Sequence, residues 1–450
     1  MAFGFGFGMG FPLRNTVVAP TLSMNFAGNP TLPATVDFTR GTNATFTNSA
    51  GNLQLTAGVN DPRFDYNPTT LVCKGLLIES QRTNSVRNNT MVGAVAGTPG
   101  TAPTNWITPT VVAGVISSIV GTGTESGITY IDIRFAGTTT SALFFSNIYE
   151  TTVSTAPNSI WTNSAYIRLI GGSLSGISAV KLVIQNFDSV GASLGQFLVS
   201  TITPTSASLF SQRYSQTSLS TTFSNVNTAF VKPYFQIEAP TLTTIDVTLR
   251  IGLPQLELGQ FATSVIPTST AAATRNADLA TMTGTNFSSW YNQDQSTVVT
   301  KIVQGVQGSA TATANPGLFA LRTASLGATF NGYGSREVLN VSGAGTIRVA
   351  GRSGATIAES SGPSLGFLAA GTSYTTAASF NASTISIAVN GAAGSTGSNT
   401  VSLLLLPRDT LDIGKQIVGG FTPYELNGHV ASFTYYPMSL SMATLQALSV

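Results

Sequence analysis

Apolar and polar residues alternate along much of this chain with a period of two, which is the period of a half-buried β-strand. In one run Ile131, Ile133 and Phe135 alternate with Asp132 and Arg134. Similar short runs recur and are separated by clusters of Gly, Ser, Thr and Pro. Because this spacing is typical of β-sandwiches and jelly rolls, the pattern predicts an all-β fold.

Breaks in the alternation divide the chain, whose 450 residues exceed what one hydrophobic core normally organises. The stretch TSTAAATRNAD contains mostly small residues without alternation and predicts a linker. We predict two β-sandwich domains behind an N-terminal segment. The predicted regions are a Phe- and Gly-rich segment at 1–35, a β-rich connecting region at 36–92, a jelly roll at 93–267, a linker at 268–280 and a second sandwich at 281–450.

Two local signals predict a turn and a helix in the second sandwich. Asn390 and Gly391 follow an alternating run, and this dipeptide is a strong hairpin signal. The last residues predict a short helix with Ser441 as its N-cap and with Leu445 and Leu448 on one face.

The first residues alternate between glycine and large apolar side chains. In an extended conformation every large side chain would lie on one face. This arrangement predicts a strip that docks on another protein of an assembly, and the alternative is a low-complexity tail, because glycine weakens strands. The docking candidates are Phe3, Phe5, Phe7, Met9 and Phe11.

Charge is scarce, since only 8% of the residues are Asp, Glu, Lys or Arg, against roughly 25% in average globular proteins. Ser, Thr, Asn and Gly must therefore cover much of the surface, which suits a protein that is built into an assembly. The 20 basic and 18 acidic residues form no basic cluster. We therefore expect no nucleic-acid partner.

Cys73 is the only cysteine and His429 the only histidine. A disulfide framework, a multi-cysteine metal cluster and a two-histidine metal site are therefore excluded, and we expect no metal and no cofactor. His429 alternates with Ala431, Phe433 and Tyr435, which predicts a strand position with a hydrogen-bonded imidazole.

The chain shows no secretory signal and no stretch that approaches the roughly 18 apolar residues needed to span a bilayer. We therefore expect a retained N-terminus, no membrane insertion and assembly in a reducing cytoplasm.

The segment PRFDYNPTTLVCKGLLIESQRTN carries a cluster of charged residues. We predict two ion pairs beside the strand GLLI, Arg63 with Asp65 and Glu79 with Arg82. The alternative is a cation site formed by Asp61, Asp65 and Glu79. Hard-cation sites normally gather carboxylates at a tighter, glycine-turned spacing, so the ion pairs are preferred.

One motif resembles that of a hydrolase. Gly191, Ser193 and Gly195 match the nucleophile-elbow pattern, and His429 follows them in the order of an α/β-hydrolase. No helix pattern follows the motif, and a Ser- and Gly-rich chain produces such a match by chance. We also find no strand pattern with two acids on one face, which a glycosidase of this fold would use. We therefore predict no enzyme activity, with acids from different strands or subunits as the open alternative.

Sugar binding makes smaller demands, namely one or two exposed aromatic faces with amide and hydroxyl groups beside them. The predicted jelly roll offers four aromatic rings, each of which is more often part of a core than a ligand platform. The sugar-binding candidates are Trp106, Trp161, Tyr166 and Tyr214.

Two segments, 62–84 and 254–278, resemble those that bracket a jelly roll in bacteriophage head-spike and tail-fibre proteins of the spike-fibre domain family. That jelly roll is often described as carbohydrate-binding-like. The segment 411–448 is similar to the closing strands and helix of the concanavalin A-like or laminin-G-like sandwiches appended to such proteins.

The resemblance implies a structural fibre or spike subunit of a bacteriophage virion, assembled in the host cytoplasm. It implies a homotrimer that docks on other virion proteins through its N-terminus and is displayed for attachment to host-surface polysaccharide. The alternative function is a polysaccharide depolymerase carried on the virion.

Overall fold

The computed structural model describes residues 19–56, 58–107, 111–145, 152–217, 223–305, 316–324, 331–339, 345–353, 356–365, 369–401, 407–416 and 424–450. In these residues the regular structure is almost entirely β, with 32 strands and two short α-helices. The strands form sandwich domains, which confirms the predicted all-β fold. Neither helix in this part of the chain is long and apolar enough to cross a membrane. The docking candidates lie outside the described residues; they are Phe3, Phe5, Phe7, Met9 and Phe11.

The strands before residue 85 are short. β3 and β4 pair only with each other, whereas most of the others join sheets formed by the C-terminal half of the chain. The strands are β1 (Leu22–Asn25), β2 (Asp37–Thr39), β3 (Thr45–Thr47), β4 (Leu53–Leu55), β5 (Phe64–Tyr66), β6 (Cys73–Ile78) and β7 (Arg82–Asn84).

The next strands form two sheets that share one core, here called the middle sandwich. Its strands are β8 (Val111–Val112), β9 (Val115–Glu125), β10 (Ile128–Thr138), β11 (Leu143–Phe145), β12 (Val153–Ser154), β13 (Trp161–Gly172), β14 (Ala179–Phe187), β15 (Ser193–Ile202), β16 (Arg213–Thr217), β17 (Phe230–Ala239) and β18 (Thr244–Leu258). One sheet has the order β16-β13-β18-β10-β9-β8, and the other has β11-β17-β14-β15 with β12 also on β17. Ile131, Ile133 and Phe135 of β10 are buried in the shared core, as their alternation predicted.

The remaining strands form a second sandwich, here called the terminal sandwich. Its elements are β19 (Ala273–Arg275), β20 (Leu279–Thr283), α1 (Gly284–Ser288), β21 (Ser296–Val303), β22 (Gly317–Arg322), β23 (Asn331–Leu339), β24 (Gly345–Ser353), β25 (Thr356–Ser361), β26 (Ser373–Phe380), β27 (Thr384–Val389), β28 (Ala392–Ser398), β29 (Thr410–Ile413), β30 (Lys415–Gln416), β31 (Tyr424–Glu425), β32 (Gly428–Tyr436) and α2 (Met442–Leu448). One sheet runs β28-β27-β26-β21-β32-β6-β5, with β1 also on β32, and the other runs β2-β20-β29-β22-β23-β24-β25.

Strands from the start of the chain therefore complete the terminal sandwich. Phe26, Phe38 and Ile78 are buried in the same core as Phe319 and Tyr435. Burial of such side chains removes apolar surface from water, which is the main stabilising contribution in folding. The middle sandwich is consequently an insertion between β6 and β20 of the terminal sandwich.

The insertion begins and ends at one place, because β7 and β19 pair with each other. In this antiparallel pair Asn84 lies opposite Ala273 and Arg82 lies opposite Arg275. We call these two strands the stem. The two segments that carry the phage-protein resemblance, 62–84 and 254–278, both contribute a stem strand.

The two local signals in the terminal sandwich are confirmed. Asn390 and Gly391 have φ angles of +48° and +76° and connect β27 to β28, as a primed hairpin turn requires. The side chain of Ser441 accepts a hydrogen bond from the backbone N–H of Thr444 at the start of α2, and Leu445 is buried.

Candidate functional site

Five charged side chains are buried together at the stem. Arg40 lies 3.0 Å from Asp278, and Arg63 lies 2.7 Å from Glu79 and also contacts Asp278. Arg275 lies 2.9 Å from Glu79. These side chains are at most 7% exposed. Because buried charges are tolerated only when paired, this network fixes Arg40 and Arg63 against the chain that flanks the stem, before β7 and at the end of β19.

The predicted ion pairs Arg63–Asp65 and Glu79–Arg82 are wrong. Arg63 pairs instead with Glu79 and Asp278, and Asp65 pairs with residues of other strands. The prediction considered charges that are close in the sequence. The pairing of β7 with β19 brings Asp278 next to Arg63 from the far end of the insertion.

Electrostatics keep Glu79 of this network ionised. Burial alone would raise the pKa of Glu79, but Arg275 and Arg63 hold that pKa well below its usual range. Asp65 is likewise paired with Lys74 and hydrogen-bonded to His429, so neither carboxylate forms the predicted alternative, a cation site. In the described part of the chain no group of three His, Cys, Asp or Glu side chains is placed to hold a metal ion.

A cleft of about 220 Å³ lies beside this network, between the two sandwiches. We call it the junction cleft. Its charged and polar lining includes Asp65, Lys74, Glu79, Arg213, Asn427 and His429. Its apolar and aromatic lining includes Phe46, Leu53, Tyr166, Phe210, Phe261 and Val265. Both sandwiches and the connecting region therefore contribute to one site.

Asp65 connects three strands at this cleft. One carboxylate oxygen lies 2.9 Å from Nε2 of His429 on β32 and contacts Nζ of Lys74 on β6. The other accepts a hydrogen bond of 2.6 Å from the backbone N–H of Thr47 on β3. Burial alone would raise the pKa of Asp65, but His429 and Lys74 hold it well below its usual range. Asp65 is therefore ionised at neutral pH and can only accept hydrogen bonds.

His429 occupies a strand position with a hydrogen-bonded imidazole, as its alternation predicted. Burial and the charge of Lys74 lower its pKa below the ordinary value of 6.5, so the ring is neutral at pH 7. Because Asp65 accepts from Nε2, this nitrogen carries the proton and Nδ1 is left as an acceptor. Nδ1 is buried and has no hydrogen-bond partner among the described residues.

The middle sandwich contributes a cation stacked on an aromatic ring. Arg213 of β16 lies directly opposite Tyr166 of β13, and its guanidinium carbon is 5.6 Å from the centre of that ring. Phe210 packs edge-on against Tyr166 with a centroid separation of 5.8 Å. Nη2 of Arg213 donates to Oγ of Ser164 at 3.2 Å. These contacts hold a half-buried guanidinium at the cleft.

The four sugar-binding candidates do not lie together. Trp106 and Trp161 are 6% and 5% exposed and pack in the core of the middle sandwich, where neither indole offers an open face. The hydroxyl of Tyr214 lies 2.8 Å from the carbonyl oxygen of Thr203, and its ring packs against the same core. Tyr166 alone among the four lines the junction cleft.

Sequence reasoning missed most of the polar residues of the cleft. Lys74, Arg213 and Asn427 stand in unremarkable strand and turn positions, and no spacing links them. The sequence did give a signal for Asp65 and Glu79. The chain has only 18 acidic residues, so two of them in the segment 62–84 stand out. Arg213 reaches the cleft only because the middle sandwich is inserted beside it, and no local sequence pattern indicates this position.

The hydrolase-like motif is not a nucleophile elbow. Ser193 begins β15, so a strand follows it where an elbow requires a helix. Its hydroxyl bonds to the side chain of Gln185, whereas His429 bonds to Asp65 at the junction cleft. This confirms the chance interpretation of the pattern.

Comparisons with known proteins give no family for the chain. No protein-family model matches it, and no curated protein matches it. Similar solved structures include the CBM40 domain of Ruminococcus gnavus IT-sialidase bound to α2,3-sialyllactose, at 16% identity over 35% of this chain and 83% of that one, with a TM-score of 0.29. Domains LG4-5 of the mouse laminin α1 chain match at 12% identity over 67% and 88% of the two chains, with a TM-score of 0.22.

A third structure, Trypanosoma rangeli sialidase in complex with the inhibitor DANA, matches at 10% identity over 75% of this chain and 62% of that one, with a TM-score of 0.25. At such TM-scores these likenesses carry no argument about the ligand or the activity of this chain. The all-β sandwich fold therefore rests on the strand pairings and cores described above.

Proposed function

We propose that this protein is a non-enzymatic, glycan-binding subunit of a bacteriophage fibre or spike, which attaches the particle to the host surface. The junction cleft is the proposed sugar site. The observation that carries the proposal is that one cleft combines aromatic rings with charged, amide and imidazole groups drawn from two sandwiches.

The lining of the cleft matches the chemistry of a sugar. A sugar ring presents C–H faces, which pack on aromatic rings, and hydroxyl edges, which exchange hydrogen bonds. Tyr166, Phe210 and Phe261 supply apolar surface, and Asn427 and His429 supply polar groups. The volume of about 220 Å³ is below the roughly 300–1,000 Å³ of drug-sized pockets, which favours a single ring or a chain end.

The protonation states of the cleft acids favour binding over hydrolysis. Asp65 lies on β5 and Glu79 directly follows β6, and both line the cleft, so they are the natural pair for a glycosidase. Such an enzyme needs one carboxylic acid that is still protonated near neutral pH, with a raised pKa. Both carboxyl groups instead have lowered pKa values, because buried or neighbouring cations hold them ionised. These lowered pKa values favour neither carboxyl group as the general acid.

The fibre or spike assignment is supported by the resemblance of segments 62–84 and 254–278 to phage appendage proteins. In this chain both segments supply a stem strand and, together with Arg40, the buried charges beside it, which connect the two sandwiches. A chain in which only 8% of the residues are charged suits extensive burial between subunits, and we propose a homotrimer in the virion.

Glycan binding is tested on an array of host-surface polysaccharides with the purified full chain. Phe210→Ala, which removes a half-buried ring from the cleft, should abolish most of the binding. Phe197→Ala removes a ring that is 52% exposed on β15 outside the cleft and should leave binding unchanged. Absence of binding to any polysaccharide, or equal binding by both variants, would exclude the cleft as a glycan site.

The other parts of the proposal have separate tests. Immunogold electron microscopy should locate the protein on purified phage particles, and native mass spectrometry should give the mass of a trimer. Incubation with host polysaccharide should release no reducing ends. If the gold label does not bind to the purified particles, the virion role is contradicted. If the protein releases sugar and an Asp65→Asn variant does not, the non-enzymatic role is contradicted.

A further inference from the structure

We propose that the junction cleft selects sugars that carry a carboxylate, which Arg213 binds, while Nδ1 of His429 accepts a hydrogen bond from a hydroxyl of the same sugar. This inference rests on the glycan-binding function proposed above and names the class of sugar. It follows from two groups in the cleft that have unused hydrogen-bonding capacity.

Arg213 is the first of these groups. No carboxylate of the described residues forms an ion pair with its guanidinium, which is held by the hydroxyl of Ser164 and by the ring of Tyr166. Its Nε is buried without a hydrogen-bond partner in the same part of the chain. A guanidinium offers two parallel N–H donors that match the two oxygens of a carboxylate. The stacking on Tyr166 leaves this fork pre-oriented.

The remaining charges of the cleft are already matched. Lys74 contacts Asp65, and Glu79 is bound by two buried arginines of the stem. Each acid of the cleft therefore has a cation, and the uncompensated charge is the positive charge of Arg213. An anionic ligand group is attracted to this position, whereas a neutral sugar lacks this attraction between opposite charges.

His429 is the second group. The side chain is 6% exposed and lines the cleft, and its Nε2 proton is committed to Asp65. Nδ1 is therefore an acceptor, and it has no partner among the described residues. A buried acceptor without a hydrogen bond is unfavourable, and a ligand hydroxyl that donates to it removes this cost. Sugars carry such hydroxyl donors next to their carboxylates.

The two groups belong to different sandwiches, since Arg213 lies on β16 and His429 on β32. A ligand that contacts both must therefore lie across the junction. A carboxylate and a ring hydroxyl on one sugar provide these two contacts at a short fixed separation, which a simple anion such as acetate does not.

The first experiment uses an array of uronic-acid-containing and neutral bacterial polysaccharides, with every acidic one also present after chemical reduction of its carboxylates to hydroxymethyl groups. We expect binding to acidic polysaccharides and at least a 10-fold loss on reduction. Arg213→Gln should lose binding to the same extent, and Arg213→Lys, which keeps the charge without the fork, should lose part of it. The control is Arg134→Gln, which removes an exposed arginine of the same sandwich and should bind normally.

The outcomes separate this inference from the proposed function. Binding to neutral or carboxyl-reduced polysaccharides as strong as to the acidic ones, or normal binding by Arg213→Gln, overturns the carboxylate selection and leaves glycan binding intact. Binding to no polysaccharide at all overturns both proposals.

The second experiment exploits the single histidine of the chain. In protein labelled with ¹⁵N-histidine, the Nδ1 resonance belongs to His429 alone. Addition of a short acidic oligosaccharide, prepared from a polysaccharide that binds, should move this resonance to lower frequency, as accepting a hydrogen bond requires. The shift should be absent in Arg213→Gln at the same oligosaccharide concentration. An unchanged Nδ1 resonance in a saturated complex overturns the role of His429.

Discussion

The guanidinium of Arg63 donates a hydrogen bond to the carboxylate of Asp278, although the two residues are 215 positions apart in the sequence. Both side chains are fully buried. Asp278 also accepts a hydrogen bond of 3.0 Å from Arg40. The chain between Arg63 and Asp278 contains the whole middle sandwich, so this ion pair closes the base of the insertion.

Replacing Asp278 with Asn should destabilise the protein strongly. The change keeps the shape but leaves Arg40 and Arg63 short of a buried counter-charge, a situation that costs about 3–5 kcal/mol. The control is Asp246→Asn, which breaks the exposed ion pair with Arg134 and should cost less than about 1 kcal/mol. Urea unfolding followed by tryptophan fluorescence measures both. Equal losses in the two variants would contradict the importance of the buried network.

Gly75→Ala should disrupt the sheet of the terminal sandwich. Gly75 has a φ of +113°, and an added Cβ would clash with the carbonyl oxygen of Val430 and lie 2.8 Å from Cα of Ala431 on β32. The matched control is Gly191→Ala, which has a φ of +84° but no atom within 4 Å of the added Cβ.

The control isolates the backbone strain, which should cost about 1–2 kcal/mol. The loss of unfolding free energy in Gly75→Ala should exceed the roughly 0.5–3 kcal/mol caused by most point mutations, because the backbone of β32 must move. Thermal unfolding by circular dichroism measures both variants, and a similar loss in the two would show that β6 does not pack against β32 in this way.

Ile78→Ala tests whether the start of the chain belongs to the terminal sandwich. Ile78 ends β6 and is fully buried in the core that contains Phe319 and Tyr435. Loss of its side chain should cost about 2–5 kcal/mol. Leu55→Ala, at a position that is 45% exposed, should change the free energy of unfolding by about 0.5 kcal/mol or less. A mild effect of Ile78→Ala would place β6 outside this core.

Stability should fall as the pH is lowered from neutral. The pKa of His429 is lowered in the folded state, so below its ordinary value of 6.5 the unfolded chain binds more protons than the folded one. The contribution of the neutral His429 ring to the free energy of unfolding is therefore complete above pH 6.5 and is lost on acidification. The lowered pKa of Glu79 adds a second loss as the pH falls below its ordinary value of 4.5.

Urea midpoints measured between neutral and mildly acidic pH test this dependence. In His429→Gln the decrease between about pH 7 and pH 5 should be smaller, because the titrating imidazole is gone, while the decrease caused by Glu79 at lower pH should persist. An unchanged slope in the variant, or stability that increases on acidification, would contradict the buried neutral state of His429.

The sequence by itself determined the features that depend on neighbouring residues. Alternation at Ile131, Ile133 and Phe135 determined a strand and its buried face, because successive side chains on a strand point to opposite faces of the sheet. The Asn390-Gly391 turn could also be predicted, since its positive φ angles are a property of those residues. The fold class followed from many such local patterns.

Only the tertiary structure decided which residues meet at the stem and at the junction cleft. Arg63 has several acids near it in the sequence and pairs with one of them, Glu79, yet its other partner, Asp278, comes from beyond the inserted sandwich. Arg213 and His429 line one cleft although nothing in their spacing relates them. The physical reason is that alternation specifies a face but not a partner strand. Burial of charge and apolar surface across the assembled sheets selects the partner, and that selection involves the whole chain at once.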